Sequence, residues 1–261
     1  MHRLRKRKCF VVRMKNIWKV GLLLIIVFAG IKFGMSETLN VSNTVNGKEL
    51  PIYSVETDEK KVALSFDAAW GNEDTQMILD TLAKYNIHAT FFMTGGWVEN
   101  FPEDVKNIQA AGHDLANHSE NHKNMSQLSD AECQDELMKV HNKVKELTGV
   151  EMKLFRPPYG DYDNHVIANA TDCGYYTIQW SVDSLDWKDY GVESIIKTVT
   201  QHKDLKNGAI ILMHNGAKYT AEALPKVIES LIGQGYEIVP ISELIYTEDY
   251  HLDVTGRQIK N

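Results

Sequence analysis

Cysteine is scarce in this sequence. Three residues in 261, Cys9, Cys133 and Cys173, form no C-x-x-C pair. A disulfide framework is excluded, and free, mostly buried thiols are expected. A cationic surface is also missing. The formal net charge is −7, which argues against a nucleic-acid binder. Internal repeats and low-complexity segments are absent. Long apolar runs are absent as well, with one exception near the N-terminus, and no clear A-x-A cleavage site follows that run.

The charge is unevenly spread. The first nineteen residues carry Arg3, Arg5, Lys6, Arg7, Lys8, Arg13, Lys15 and Lys19 and no acid, so the remainder is a well-solvated acidic body. The apolar run Val20 to Ile31 is flanked by Lys19 and Lys32. Twelve helical residues reach about 18 Å, short of a hydrocarbon core of about 30 Å. If both lysines snorkel, Ile17 to Met35 spans about 28 Å. The expectation is a basic cytoplasmic tail (1–16) and a signal anchor (17–35), with a cleaved signal peptide and a secreted product as the alternative. Lys and Arg on the near side place everything after residue 36 outside. Residues 36–60 read as a linker and hairpin with an Asn46-Gly47 turn, and residues 247–261 as a polar tail.

From Lys61 onward, strand-like and helical patterns alternate. The strand-like runs are Val62–Phe66, Ala89–Met93, Asp114–Asn117, Lys153–Arg156, Tyr175–Trp180, Ala209–Met213 and Glu237–Val239. Helical patterns separate them, one opened by a Ser129/Glu132 capping box. This is an α/β chain of βαβ units with a parallel sheet. About seven strands suggest a distorted (β/α) barrel, and a doubly wound open sheet is the other arrangement.

Polar residues collect at the C-terminal ends of these strands: Asp67, His118, Arg156, Asp183 with Asp186, and His214. In a parallel barrel those ends form one rim, where barrel enzymes build their sites. "ANHSENH" puts His118 and His122 four apart. Alone that spacing is weak; on a helical turn at the rim it clamps a divalent cation. The remaining histidines have no comparable company. In "FRPPYG", two prolines fix the backbone, so the next N–H is a fixed donor suited to an oxyanion, and Arg156 can orient a carboxylate. In "SVDSLDW", an Asp beside a His holds the imidazolium and fixes its tautomer, and Trp187 offers an apolar face to a sugar. "AIILMHNG" delivers His214 to the rim, where a carboxylate-raised His acts as general acid toward a leaving amine.

Taken together, "SFD", "HSENH", "RPPYG", "DSLDW" and "LMH" resemble, in order, the motifs of carbohydrate esterase family 4, the polysaccharide deacetylases with a NodB-homology domain. The likeness runs from about Lys61 to Tyr246, and "SFDAAWGNEDT" is similar to the sporulation-associated PdaB-like subgroup. The resemblance implies metal-dependent removal of N-acetyl groups from a cell-wall glycan such as peptidoglycan. It implies Asp67 as general base, Arg156 holding it, and His118 and His122 on a divalent metal: zinc, with cobalt, manganese or nickel as alternatives. It also implies the Tyr159 N–H at the oxyanion, His214 as general acid tuned by Asp186, and Trp187 and Leu212 lining the acetyl pocket.

One position departs from the pattern. The family usually has a second Asp directly after the base, as third metal ligand, and here that residue is Ala68. Asp74 and Asn72 are candidate replacements. Three functional readings follow: an active deacetylase with an altered metal site, a weak or silent barrel that binds glycan, or a barrel enzyme with another substrate, such as a different amide or ester.

Overall fold

The computed structural model describes residues 44–45 and 47–261. The expected tail and membrane segment, residues 1–35, lie outside the described residues, as does Cys9. Among the described residues no helix is long and apolar enough to cross a membrane.

Thirteen strands are described: β1 (Thr44–Val45), β2 (Lys48–Glu49), β3 (Ser54–Val55), β4 (Lys61–Ala68), β5 (Thr90–Met93), β6 (Asp114–Asn117), β7 (Leu154–Phe155), β8 (Tyr176–Thr177), β9 (Val182–Asp183), β10 (Ala209–Asn215), β11 (Glu237–Val239), β12 (Tyr250–Leu252) and β13 (Arg257–Lys260). β1 and β2 pair antiparallel with each other. The others make one sheet in the order β12-β13-β3-β10-β4-β5-β6-β7-β8. From β10 through β8 every pairing is parallel. β11 and β5 share one edge of β4, β11 along Lys61–Ala63 and β5 along Ser65–Ala68. All seven expected strands are present, in a curled, half-barrel parallel sheet.

β4 shows why the sheet curls around a buried interior. Its residues Val62 to Ala68 are all buried, as in a strand covered on both faces. Val62, Leu64 and Phe66 pack into the layer beneath the helices, with Leu79, Leu82 and Leu224. Ala63 joins Ile52, Phe92, Ala116 and Ile210 in a second apolar cluster. The helices follow the expected pattern and have local causes. Asp130–Thr148 begins at the capping box, with the Ser129 N–H donating to Glu132 Oε2 at 2.9 Å, and stops at Gly149, whose φ is +78°. Pro102–Ala110 has Pro at its start and Glu103 and Asp104 in its first turn. Gly95–Asn100 is a short helix that no apolar periodicity announces.

Two segments flanking the expected domain are part of the sheet. In the polar tail, residues 247–261, β12 and β13 pair with each other and β13 pairs with β3. Tyr250, Leu252 and Gln258 are buried there, and Gln258 exchanges hydrogen bonds with the backbone of Tyr246. The end of the 36–60 linker is structural too. The Ile52 N–H donates to the Thr177 carbonyl (2.9 Å), and the Ile52 carbonyl accepts from the Gln179 N–H (2.8 Å). β3, just beyond, pairs antiparallel with β10 at Ser54 and Ala209. Sparse apolar residues hid both segments. Their contribution is backbone pairing, which leaves little mark on hydropathy. Cys133 is buried, Cys173 is half-buried, and both are free. Burial pushes the Cys133 thiol up to about 12.

Candidate active site

A pocket of about 470 Å³ opens at the C-terminal strand ends. Asp67, His118, His122, Tyr159, Trp187, Leu212 and His214 all line it. Arg156 and Asp186, both fully buried, sit behind the wall, Arg156 bonded to Asp67 and His118 and Asp186 to His214.

Asp67 and His214 are register partners on the adjacent strands β4 and β10. Parallel pairing therefore brings the two groups to one level of the rim. Arg156 Nη1 donates to Asp67 Oδ1 at 2.6 Å, and Nη2 donates to Ser65 Oγ (2.9 Å) and the Gln179 carbonyl (3.3 Å). The guanidinium lies 4.1 Å from the centre of the Phe92 ring. Burial opposes the Asp67 charge, but Arg156, His118 and His214 outweigh it and hold the carboxyl below its ordinary range.

Across the pocket, His214 Nδ1 donates to Asp186 Oδ1 at 2.7 Å. The other carboxylate oxygen, Oδ2, accepts from the His214 backbone N–H (2.7 Å) and from Thr220 Oγ1 (2.6 Å). Burial works against a charged imidazole, yet the Asp186 hydrogen bond and the charges of Asp186, Asp67 and Asp183 raise the His214 pKa. The fixed Nδ1–H leaves Nε2 as the exchanging nitrogen.

The His118–His122 pair is assembled differently from the expected helical turn. β6 ends at Asn117, and the chain runs on as a loop in which Ser119 (φ +66°) and His122 (φ +54°) are left-handed. Asn117 Oδ1 accepts from the Ser119 N–H and Ser119 Oγ from the His122 N–H, so local polar groups substitute for helical bonds. The two rings stand edge to face at 4.9 Å. His118 Nδ1–H donates to the Arg156 carbonyl at 2.8 Å, leaving Nε2 as an acceptor 3.5 Å from Asp67 Oδ2. Burial pushes His118 down to about 4, so both facing atoms carry lone pairs near neutral pH. Tyr159 (φ +59°), Leu185 (φ +56°) and Asp189 (φ +55°) are likewise left-handed in loops beside the pocket. Each costs about 1 kcal/mol or more, strain held where the site is built.

For the divalent cation implied by the sequence, the donors fall one short. Two neutral imidazoles face the pocket, but among the described residues no group of three His, Cys, Asp or Glu side chains is placed to hold a metal ion. Ala68 is fully buried with Val62, Leu64 and Phe66, and the wall beyond Asp67 is Ala69 and Trp70. The candidate substitutes do not line the pocket, although Asp74 Oδ2 is buried without a hydrogen-bond partner. Asp74 Oδ1 accepts from the Gly216 N–H (2.8 Å), and Asn72 Nδ2 donates to Asp104 (2.6 Å). The side chains present do not form a three-ligand site.

Sequence reasoning missed several participants. Trp70, half-exposed, lines the pocket with its ring 5.4 Å from that of His214. Ser65 carried a readable signal, a hydroxyl two residues before Asp67 and so on the same strand face. Gln179 contributes only a carbonyl, and Thr220 comes from a distant helix start, so neither had a local signature.

Comparison with known proteins decides the family. Residues 54–178 match the polysaccharide deacetylase family model, a span that ends before Asp186 and His214. A peptidoglycan-N-acetylglucosamine deacetylase of Bacillus cereus is 37% identical over 198 residues, covering 74% of this chain and 92% of that protein. This chain belongs to the polysaccharide deacetylase family. Another relative within reach of this deacetylase-family chain is the uncharacterized protein YlxY of Bacillus subtilis, 36% identical over 195 residues, 75% of this chain; the chain spans 60% of that protein's length. Among solved structures, a CE4 family pseudoenzyme from Bacillus anthracis superposes with a TM-score of 0.72 at 34% identity, covering 81% of this chain and 73% of the other. A mutant of that pseudoenzyme is described as having restored enzymatic activity.

Proposed function

We propose that this protein hydrolyses N-acetyl groups of a cell-wall glycan, with peptidoglycan as the polymer and sporulation as the setting. The observation that supports this best is the pairing of a carboxylate whose pKa is lowered, Asp67, with an imidazole whose pKa is raised, His214, in one pocket. Opposed pKa shifts of this kind assign base and acid. A similar relative named for peptidoglycan N-acetylglucosamine deacetylation supports the choice of substrate.

In this reading the acetamide carbonyl sits beside the Tyr159 N–H, which has no protein acceptor among the described residues. Asp67 takes a proton from the attacking water, and the new C–O bond makes a tetrahedral oxyanion. His214 gives its Nε2 proton to the amine as the C–N bond breaks, leaving acetate and a free amino sugar. Trp187 and Leu212 enclose the methyl group, and Trp70 and Trp187 offer half-exposed rings to the sugars. We also propose that the domain works outside the cytoplasm, anchored by residues 17–35 or released after cleavage. Mapping the mature N-terminus separates those forms.

A second reading is glycan binding with little or no turnover. Two observations favour it: the missing carboxylate at Ala68, and the low proton affinity that Arg156 imposes on Asp67, which makes it a weak base. The likeness to a CE4 family pseudoenzyme points the same way. Acetate release from peptidoglycan and from N-acetylglucosamine oligomers tests both. Release that disappears in Asp67→Asn and His214→Ala supports hydrolysis; binding without release supports the second reading.

A further inference from the structure

A second cavity, of about 420 Å³, lies beside the first and shares one wall with it, Trp180. It sits where β10 begins: β3 pairs with Ala209, and the Ser181 N–H donates to the Ile210 carbonyl (3.0 Å). Its walls combine two aromatic rings, Tyr53 and Trp180, with Ser181, Asn207, Lys206 and Arg257. None of these residues except Trp180 touches the site described above.

Its chemistry is that of a sugar site. Aromatic faces pack against the C–H face of a pyranose, and short polar groups meet its hydroxyls. Ser181 Oγ is buried with no hydrogen-bond partner, a polar atom the fold leaves unsatisfied. Asn207 spends its amide N–H on the Asp58 carbonyl (3.2 Å), which leaves Oδ1 as an acceptor. Two cations meet one carboxylate in this wall, Asp204. The Arg257 guanidinium meets Glu56 only at a long 3.9 Å, and Asp253 is bonded to the Arg257 backbone N–H (3.0 Å) rather than to the guanidinium, which has capacity for another anion.

We propose that this cavity is a second glycan subsite, which takes an acidic sugar unit with its carboxylate against Arg257 and Lys206. The choice of sugar rests on the deacetylase reading; the cavity and its polar set do not. The test is protein-observed NMR on the full chain, titrated with the disaccharide N-acetylglucosaminyl-N-acetylmuramic acid or with neutral di-N-acetylchitobiose. The Asn207 side-chain amide reports this cavity and the Trp187 indole reports the catalytic pocket. The acidic disaccharide is expected to shift the Asn207 amide, and Arg257→Ala to weaken that response about tenfold, the loss of one charge-assisted hydrogen bond. Lys206→Ala, at an exposed position, should weaken it without disturbing the fold. An Asn207 amide that stays put at saturation, an equal response to the neutral disaccharide, or unchanged affinity in both variants would overturn the proposal. A shifted Asn207 amide with a silent Trp187 and no acetate release would leave the subsite standing and sink the deacetylase reading alone.

Discussion

Asp186 grips His214 twice, one carboxylate oxygen on the ring Nδ1–H and the other on the backbone N–H, each at 2.7 Å. A residue held at both ends keeps its ring direction as well as its charge. The carboxylate is itself fixed by Thr220.

The first expectation concerns that grip. His214 has a raised pKa, so its acid form is present below the ordinary histidine range and is lost as pH rises through the raised value. Asp186→Asn should move the alkaline limb of the pH–rate profile to lower pH and cut kcat more than KM. Thr220→Val should fall between parent and Asp186→Asn. The His214 ring resonance, followed by NMR, gives the same order directly. Equal losses in kcat and substrate binding would indicate a structural role for Asp186.

The second concerns Arg156. Arg156→Met strands the Asp67 charge in a buried site and should cost about 3–5 kcal/mol in urea unfolding near neutral pH. Asp67→Asn combined with Arg156→Met should recover much of that. The sign with pH is fixed: Asp67 is lowered, so its contribution is present above the ordinary carboxyl pKa and lost as pH falls through the lowered value. Arg156→Met should therefore flatten the acid arm of the stability curve.

The third concerns Ala68. A carboxylate there enters a fully buried position, so Ala68→Asp should be less stable than the parent without metal. It supplies the anion that His118 and His122 lack, so added zinc should bind more tightly and restore more stability than in the parent. Asp74→Ala, which removes a backbone cap at Gly216, should leave zinc affinity unchanged. Calorimetric titration of all three proteins decides; unchanged affinity in Ala68→Asp means position 68 does not limit the site.

The fourth concerns the C-terminal hairpin. The Gln258 amide accepts from the Tyr246 N–H (2.8 Å) and donates to the Tyr246 carbonyl (2.6 Å) while fully buried. Gln258→Ala orphans both and should cost about 2–6 kcal/mol, at about 1–3 per buried group. A loss near zero in urea unfolding would show that water replaces the amide.

The sequence was most readable where chemistry and period coincide. Asp67, Arg156 and His214 each close an apolar run, and such runs can be counted along the chain. It was least readable where the backbone does the work. Ile52 and Gln179 act through their peptide groups, and the loop from His118 to His122 turns through left-handed residues that no hydropathy pattern marks. Ala68 was visible as a departure, but its packing with Phe66 and Leu64 needed coordinates.

β4 and β10, neighbours in the sheet, stand far apart along the chain. Asp67 is made well before His214, so no nascent chain carries the pair until β10 has emerged. Ile52 waits in the same way for Gln179, and β3 for β13. Contacts this distant fold slowly. A chain delivered across a membrane N-terminus first would therefore stay unarmed from the passage of Asp67 until β10 has followed it.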